Sequence, residues 1–198
     1  MRHVTICGLP GFGKTRAAVK IYKATERGCF INMGHEDLAG DQEAYWAGET
    51  LVHSGQEALQ CILGGQRCVW VDPQINEVKP FVEELIKYQR AQETKYPITV
   101  FFDEAHLLMP QGSINLARCI NENETPDTYS LFFTNGRRWN LQGVLITQRP
   151  QAVDGQVWKV CPNKIFFNLD IGDIMYFKRM GMVVKQNKKQ DEFELKVS

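Results

Sequence analysis

Six short runs of apolar, β-branched or aromatic residues punctuate the chain: HVTIC (3–7), CFINM (29–33), RCVWVD (67–72), ITVFFD (98–103), GVLITQ (143–148) and KIFFNL (164–169). Each is nearly continuous in apolar residues rather than alternating, the pattern of strands covered on both faces. Segments of helical period lie between them. In 78–90, Val78, Phe81, Val82, Leu85 and Ile86 recur at i, i+3, i+4, i+7 and i+8, which makes one apolar stripe. Residues 14–27 put Ala18, Ile21 and Tyr22 on one face and meet a stop at Gly28. Further helix candidates are 55–64, 114–122, 127–138 and 171–180.

This alternation predicts an α/β fold with a mostly parallel central sheet, helices on both faces and right-handed crossovers. Residues 34–53, GHEDLAGDQEAYWAGETLVH, have no clear period and read as an irregular insertion at the rim. The rest reads as a single domain over 1–198, with 182–198 as a C-terminal extension.

Composition changes the picture little. A chain of 198 residues builds one domain with a real core, and 43% hydrophobic with 23% charged residues is ordinary for a globular protein. Lys plus Arg equals Asp plus Glu at 23 each, so any nucleic-acid surface has to be local. Lys178, Arg179, Lys185, Lys188 and Lys189 form one such patch, or a solvated face balanced by Asp191, Glu192 and Glu194. Six scattered cysteines without a CxxC pair read as free thiols in a reducing compartment. The first apolar stretch is too short for a signal peptide, and no run approaches a membrane span, so a cytosolic protein is expected.

The chemistry begins at GLPGFGKT, which fits G-x-x-x-x-G-K-[ST] between a predicted strand and a predicted helix. Gly8, Gly11 and Gly13 let successive backbone N–H groups turn inward onto phosphate oxygens. The following helix adds its positive end. Lys14 would reach the β and γ phosphates, and Thr15 would place a hydroxyl on Mg²⁺. The candidate nucleotide-binding residues are therefore Gly8, Leu9, Pro10, Gly11, Phe12, Gly13, Lys14, Thr15 and Arg16, with ATP and Mg²⁺ as cofactors. A plain glycine-rich turn with an exposed lysine is the bland alternative.

ITVFFDEAH is an apolar strand ending in two acids, the Walker B form. Asp103 would serve the magnesium shell and Glu104 would act as general base on water. A transfer to a small substrate does not need that second carboxylate. Two surface acids capping a helix are the alternative. GVLITQ is the candidate for a strand between the two motif strands, which would carry Gln148 to the γ-phosphate as a sensor. Otherwise Gln148 is a polar strand end. Before that strand, Arg137 and Arg138 are candidates for a cation supplied to a neighbour's site, Arg137 first, while Arg149 would act in cis. All three can equally be solvated, or Arg138 stacked on Trp139.

GLPGFGKT, VFFDEAH and NGRRWNLQGVLITQRP, in that order, resemble the HerA/FtsK superfamily of DNA-pumping P-loop ATPases. The short chain looks most like the genome-packaging ATPases of membrane-containing tailless icosahedral DNA viruses. The resemblance implies a RecA-like P-loop NTPase fold of the additional-strand, catalytic-glutamate class. It also implies ATP hydrolysis coupled to translocation of double-stranded DNA by a homo-oligomeric ring, a hexamer. Lys14, Thr15, Asp103, Glu104 and Gln148 would form the site, and Arg137 would be the finger acting in trans. A viral capsid or membrane vertex would be the docking partner, in the host cytoplasm or on the virion. Glu36 or Asp37 is a candidate second-strand acid.

Two rivals share parts of the pattern. GLPGFGKT also resembles zonula-occludens-toxin-like ATPases of phage assembly and export, which carry a membrane span that this chain does not show. A small-molecule P-loop kinase would need an arginine-rich lid, which RRW could imitate. DEAH-type helicases need two motor domains.

Overall fold

The computed structural model describes residues 2–33, 43–113 and 127–182. Seven strands form one sheet: β1 (Val4–Gly8), β2 (Gly28–Asn32), β3 (Leu51–Val52), β4 (Arg67–Val71), β5 (Ile98–Phe102), β6 (Leu141–Thr147) and β7 (Asn163–Phe167). Their order is β3-β4-β2-β5-β6-β1-β7, and every pairing is parallel. The helices are α1 (Lys14–Lys23), α2 (Glu43–Trp46), α3 (Gly55–Leu63), α4 (Ile75–Ala91), α5 (Ala105–Leu108), α6 (Thr128–Asn135), α7 (Gly155–Val160) and α8 (Ile171–Arg179).

The apolar strands are two-sided, as their composition requires. Val100 and Phe102 of β5 enter a core with Trp70, Phe81, Leu85, Phe132, Trp158 and Phe177. Phe101, between them, points to the opposite core with Phe30, Tyr22, Trp46, Val144 and Ile146. Helices α3, α4, α6, α7 and α8 feed the first core, α1 and α2 the second. The period-2 geometry of a strand makes this division. Edge-on aromatic packing tightens the α1 side, with Tyr22 meeting Phe30, Trp46 and Phe101 at ring separations of 5.6–5.9 Å.

Local chemistry sets the element ends. The Ser54 hydroxyl accepts from Glu57 N–H at 3.2 Å and starts α3. The Asp127 carboxylate accepts from the N–H groups of Tyr129 and Ser130 and starts α6. Helix α4 begins at Ile75, before the expected 78, because Glu77 accepts from the Gln74 N–H at 3.0 Å. Helix α1 stops at Lys23, short of 27, where the Thr25 hydroxyl donates to the Tyr22 carbonyl at 2.7 Å. The expected helix 127–138 tightens to a 3-10 turn over Gly136–Trp139 and ends at left-handed Asn140.

The expected irregular stretch 34–53 is corrected in part: its described portion carries α2 and the edge strand β3. Residues 34–42, with Glu36 and Asp37, lie outside the described residues, as do the helix candidate 114–122 and most of 182–198. Helices α5 and α7 were not expected. Cys7, Cys29, Cys68 and Cys161 are buried free thiols and Cys61 is half-buried, whereas Cys119 lies outside the described residues. Among the described residues no helix is long and apolar enough to cross a membrane.

Gly8 is required by contact. A Cβ there would stand 1.6 Å from the Phe167 carbonyl oxygen of β7, at φ +147. Gly8→Ala is expected to cost about 2–4 kcal/mol. Gly11→Ala, where a Cβ meets nothing within 4 Å, is expected to cost about 1 kcal/mol through its positive φ. Denaturant midpoints measure both, and a wild-type midpoint for Gly8→Ala would contradict the close approach.

Candidate functional site

The carboxyl ends of β1, β5 and β6 meet at one edge of the sheet. There Pro10, Gly11, Lys14, Thr15, Asp103, Glu104, Ile146, Thr147 and Gln148 line a cleft of about 170 Å³. Register does the positioning. Phe102 pairs with Leu145 and Cys7 with Thr147, so Asp103 and Glu104 leave β5 level with the end of β6, beside the loop leaving β1. Strand β6 lies between the two motif strands, as expected for GVLITQ.

The loop after β1 is shaped around its lysine. Gly13, at φ +85, caps α1 in the left-handed region that a side chain would resist. The Lys14 ammonium donates to the Leu9 carbonyl at 2.8 Å, so the loop satisfies its own cation. Burial pushes the Lys14 pKa down, while the Glu104 and Asp103 carboxylates pull it back up. Of the other loop residues, Phe12 packs against the α1-side core and Arg16 is exposed on α1, outside the cleft lining.

Asp103 is buried, and its Oδ1 accepts the Glu104 N–H at 3.0 Å. Glu104 sits at φ +46 as the N-cap of α5. That left-handed backbone costs a non-glycine residue about 1–2 kcal/mol. Asp72 and Asn168, just past β4 and β7, share a positive φ, so backbone strain gathers at this edge of the sheet.

A hydrogen bond holds one carboxylate oxygen of Glu104, and His106 stands beside the other. The Gln148 amide donates to Oε1 at 2.7 Å, and His106 Nδ1 stands 3.2 Å from Oε2. The same Nδ1 is 3.3 Å from the Thr147 hydroxyl, which accepts the Arg149 N–H at 3.0 Å. Burial and the Arg149 charge push the His106 pKa down, against the pull of Asp103. Sequence reading missed His106. Its only signal was its place two residues after Glu104.

Arg137 and Arg138 lie elsewhere. They are exposed on the turn that enters β6, at the opposite end of that strand from the cleft. The seven residues of β6, at about 3.3 Å each, put about 20 Å between turn and cleft. Neither arginine reaches the cleft of its own chain. Trp139 is covered by Arg90, 5.5 Å from its ring centroid, rather than by Arg138. Arg138 instead lines a larger groove of about 610 Å³ between α4 and α6, with Ile86, Leu131 and Trp139. That groove has no glycine loop and no carboxylate pair, so the smaller cleft is the chemical one. Arg149 is exposed on the cleft side, and Lys178 and Arg179 are exposed at the end of α8.

No protein-family model matches the sequence, and no curated protein matches it. Solved structures do. The genome-packaging NTPase B204 of Sulfolobus turreted icosahedral virus 2, in complex with ATP-gammaS, superposes with a TM-score of 0.64 at 14% identity, over 90% of this chain and 80% of that one. Its complex with AMPPCP gives 0.64 at 16% identity, over 90% and 81%. B204 of Sulfolobus turreted icosahedral virus, a DNA-packaging ATPase, gives 0.62 at 18% identity, over 90% and 81%. These likenesses establish the fold: the chain has the RecA-like P-loop ATPase architecture that the resemblance implied.

ATP present at 100 times its Kd is expected to stabilise the protein by about 2.7 kcal/mol. Lys14→Ala should lose most of that stabilisation in a thermal-shift titration. An undiminished shift would remove Lys14 from the binding site.

Proposed function

We propose that this chain is an ATP-hydrolysing DNA translocase, a viral genome-packaging motor that works as a ring of identical copies. The observation that carries the reading is the 2.7 Å bond from Gln148 to Glu104. It joins the tip of the intervening strand to the carboxylate next to Asp103, where a hydrolase keeps its base and its phosphate sensor. The shared fold with the B204 packaging NTPases supports the same reading.

In this mechanism the phosphate chain of ATP enters between the glycine loop and Asp103. Lys14 leaves the Leu9 carbonyl for the β and γ oxygens. The Thr15 hydroxyl and the Asp103 carboxylate would hold Mg²⁺. As two hard oxygen donors they fit an ion that takes its other ligands from phosphate and water. Among the described residues no group of three or more metal-ligating side chains forms an all-protein cage instead. Held by Thr15 and Asp103, such an ion would supply positive charge against the charge that builds on the transferring phosphoryl group. Glu104 takes the proton of the attacking water. Gln148 gives up Glu104 for the γ-phosphate and so reports its presence. Arg137 from the next copy, with Arg138 as the second candidate, stabilises the transition state in trans. The distance of both arginines from their own cleft supports that role. The hexamer, the double-stranded DNA and a capsid or membrane vertex as docking site come from the family resemblance.

ATPase rate measured with and without double-stranded DNA, across protein concentration, tests the motor. Stimulation by DNA and a specific activity that rises with assembly are expected. A rate indifferent to both would overturn the translocase reading. Glu104→Gln should bind ATP normally and hydrolyse it on the order of 10²–10⁴-fold more slowly. Unchanged turnover would remove Glu104 as the base.

A further inference from the structure

We infer that the amino edge of the sheet, opposite the cleft, is the surface on which the chain holds double-stranded DNA by its phosphate backbone. The inference rests on the reading of the chain as a DNA translocase and names the face that meets the polymer.

Every strand pairing is parallel, so the turns that feed the strands gather at one edge of the sheet, and cations gather with them. Arg27 precedes β2, Lys95 precedes β5, Arg137 and Arg138 precede β6, and Arg2 precedes β1. Lys164, near the start of β7, stands level with Thr5 of β1. These strands are neighbours in the order β2-β5-β6-β1-β7, so the cations form a row across the edge. At about 4.8 Å per strand the row spans about 19 Å. One DNA strand presents a phosphate about every 3.4 Å of helix axis, so the row faces about five or six of them.

The positive charge of the row is not cancelled locally. Among the described residues no carboxylate pairs with Arg2, Arg27, Lys95 or Lys164. Lys95 and Lys164 donate to the carbonyls of Gln92 and Cys161, and the Arg27 guanidinium lies 4.6 Å from the Tyr96 ring centroid. Those contacts leave the charges in place. Of the acids in the same turns, Glu26 and Glu93 are exposed, and Glu49 is engaged by Arg67 at 3.4 Å. The backbone under the row is pinned. The side-chain amides of Asn140 and Gln142 donate to the carbonyls of Lys95 and Arg2 at 2.7 Å each, and the Thr99 N–H donates to the Arg27 carbonyl at 3.1 Å. A fixed row of cations suits a ligand held by its phosphates rather than read by its bases.

A formal net charge of zero hides this face, because the acids of the chain lie elsewhere. Many stand at the carboxyl edge, yet that edge of another copy matches the row less well than DNA does. Its Asp103, Asp154 and Asp173 are buried, and Lys14 and Arg149 stand among them. DNA carries one sign of charge along its whole length. Arg137 and Arg138 keep their proposed role toward the next copy, and the cations on either side of them carry the inference.

Anisotropy titrations of a labelled DNA duplex with the full chain, at several salt concentrations, test it. Combining Arg2→Gln, Arg27→Gln and Lys95→Gln is expected to flatten the slope of log K against log salt by about 2–3 and to weaken binding about tenfold or more. The charge-keeping set Arg2→Lys, Arg27→Lys and Lys95→Arg should hold the wild-type slope. So should Lys79→Gln, which removes a cation near the start of α4, at the carboxyl edge. Basal ATPase without DNA should be unchanged in all of them. A wild-type slope in the Gln set, or equal losses in the charge-keeping set, would overturn the inference. A Gln set that binds DNA normally but needs a higher protein concentration to assemble would also overturn it, because the edge then faces the next copy. If the slope flattens as expected while duplex DNA leaves the wild-type ATPase rate unchanged, the translocase reading fails and the DNA-holding surface stands.

Discussion

Strand β6 is hydrogen-bonded to β1 on one side and β5 on the other, and the site is a consequence of that insertion. With β6 between them, the glycine loop and the acidic pair stand apart by the width of one strand, and a polar residue can rise in the gap. Gln148 is that residue. The turn that leads into the same strand carries Arg137 and Arg138, at the end of β6 opposite the cleft. Strand β6 thus lies between a contact to the chain's own Glu104 and two exposed cations at its other end.

Strain at the site depends on the two cores that grip the sheet. The left-handed backbone of Glu104 persists because β5 is packed on both faces, by Phe102 on one side and Phe101 on the other. Gly8 adds a further constraint, since β7 leaves no room for a side chain where β1 turns into the loop. Within the site Lys14 donates to the Leu9 carbonyl and Gln148 donates to Glu104. Nucleotide binding in the proposed mechanism exchanges both of these internal bonds for bonds to phosphate.

The six longer strands were legible because burial on both faces writes itself as continuous apolar runs. The glycine loop was legible because its glycines and lysine stand at a fixed spacing between a strand and a helix. The place of GVLITQ between the motif strands was a candidate that the family resemblance favoured, and the strand order β5-β6-β1 agrees with it. Short elements were not legible: β3 has two residues, and α2 and α5 have four each, too few to show a period. The place of His106 beside the cleft was hidden for a different reason. It depends on a contact across 41 residues to Thr147, which no local pattern records. The cover on Trp139 was not legible either, because Arg90 comes from α4, distant in sequence.

The central claim is that each catalytic cleft is completed by an arginine from another copy. Mixing two inactive proteins tests it most directly. Arg137→Ala keeps Glu104 but lacks the arginine, and Glu104→Gln keeps the arginine but lacks the base. In a mixed assembly some clefts pair an intact Glu104 with a neighbour's intact Arg137. The account predicts an ATPase rate for the mixture well above the sum of the two proteins alone. A rate equal to that sum would contradict it.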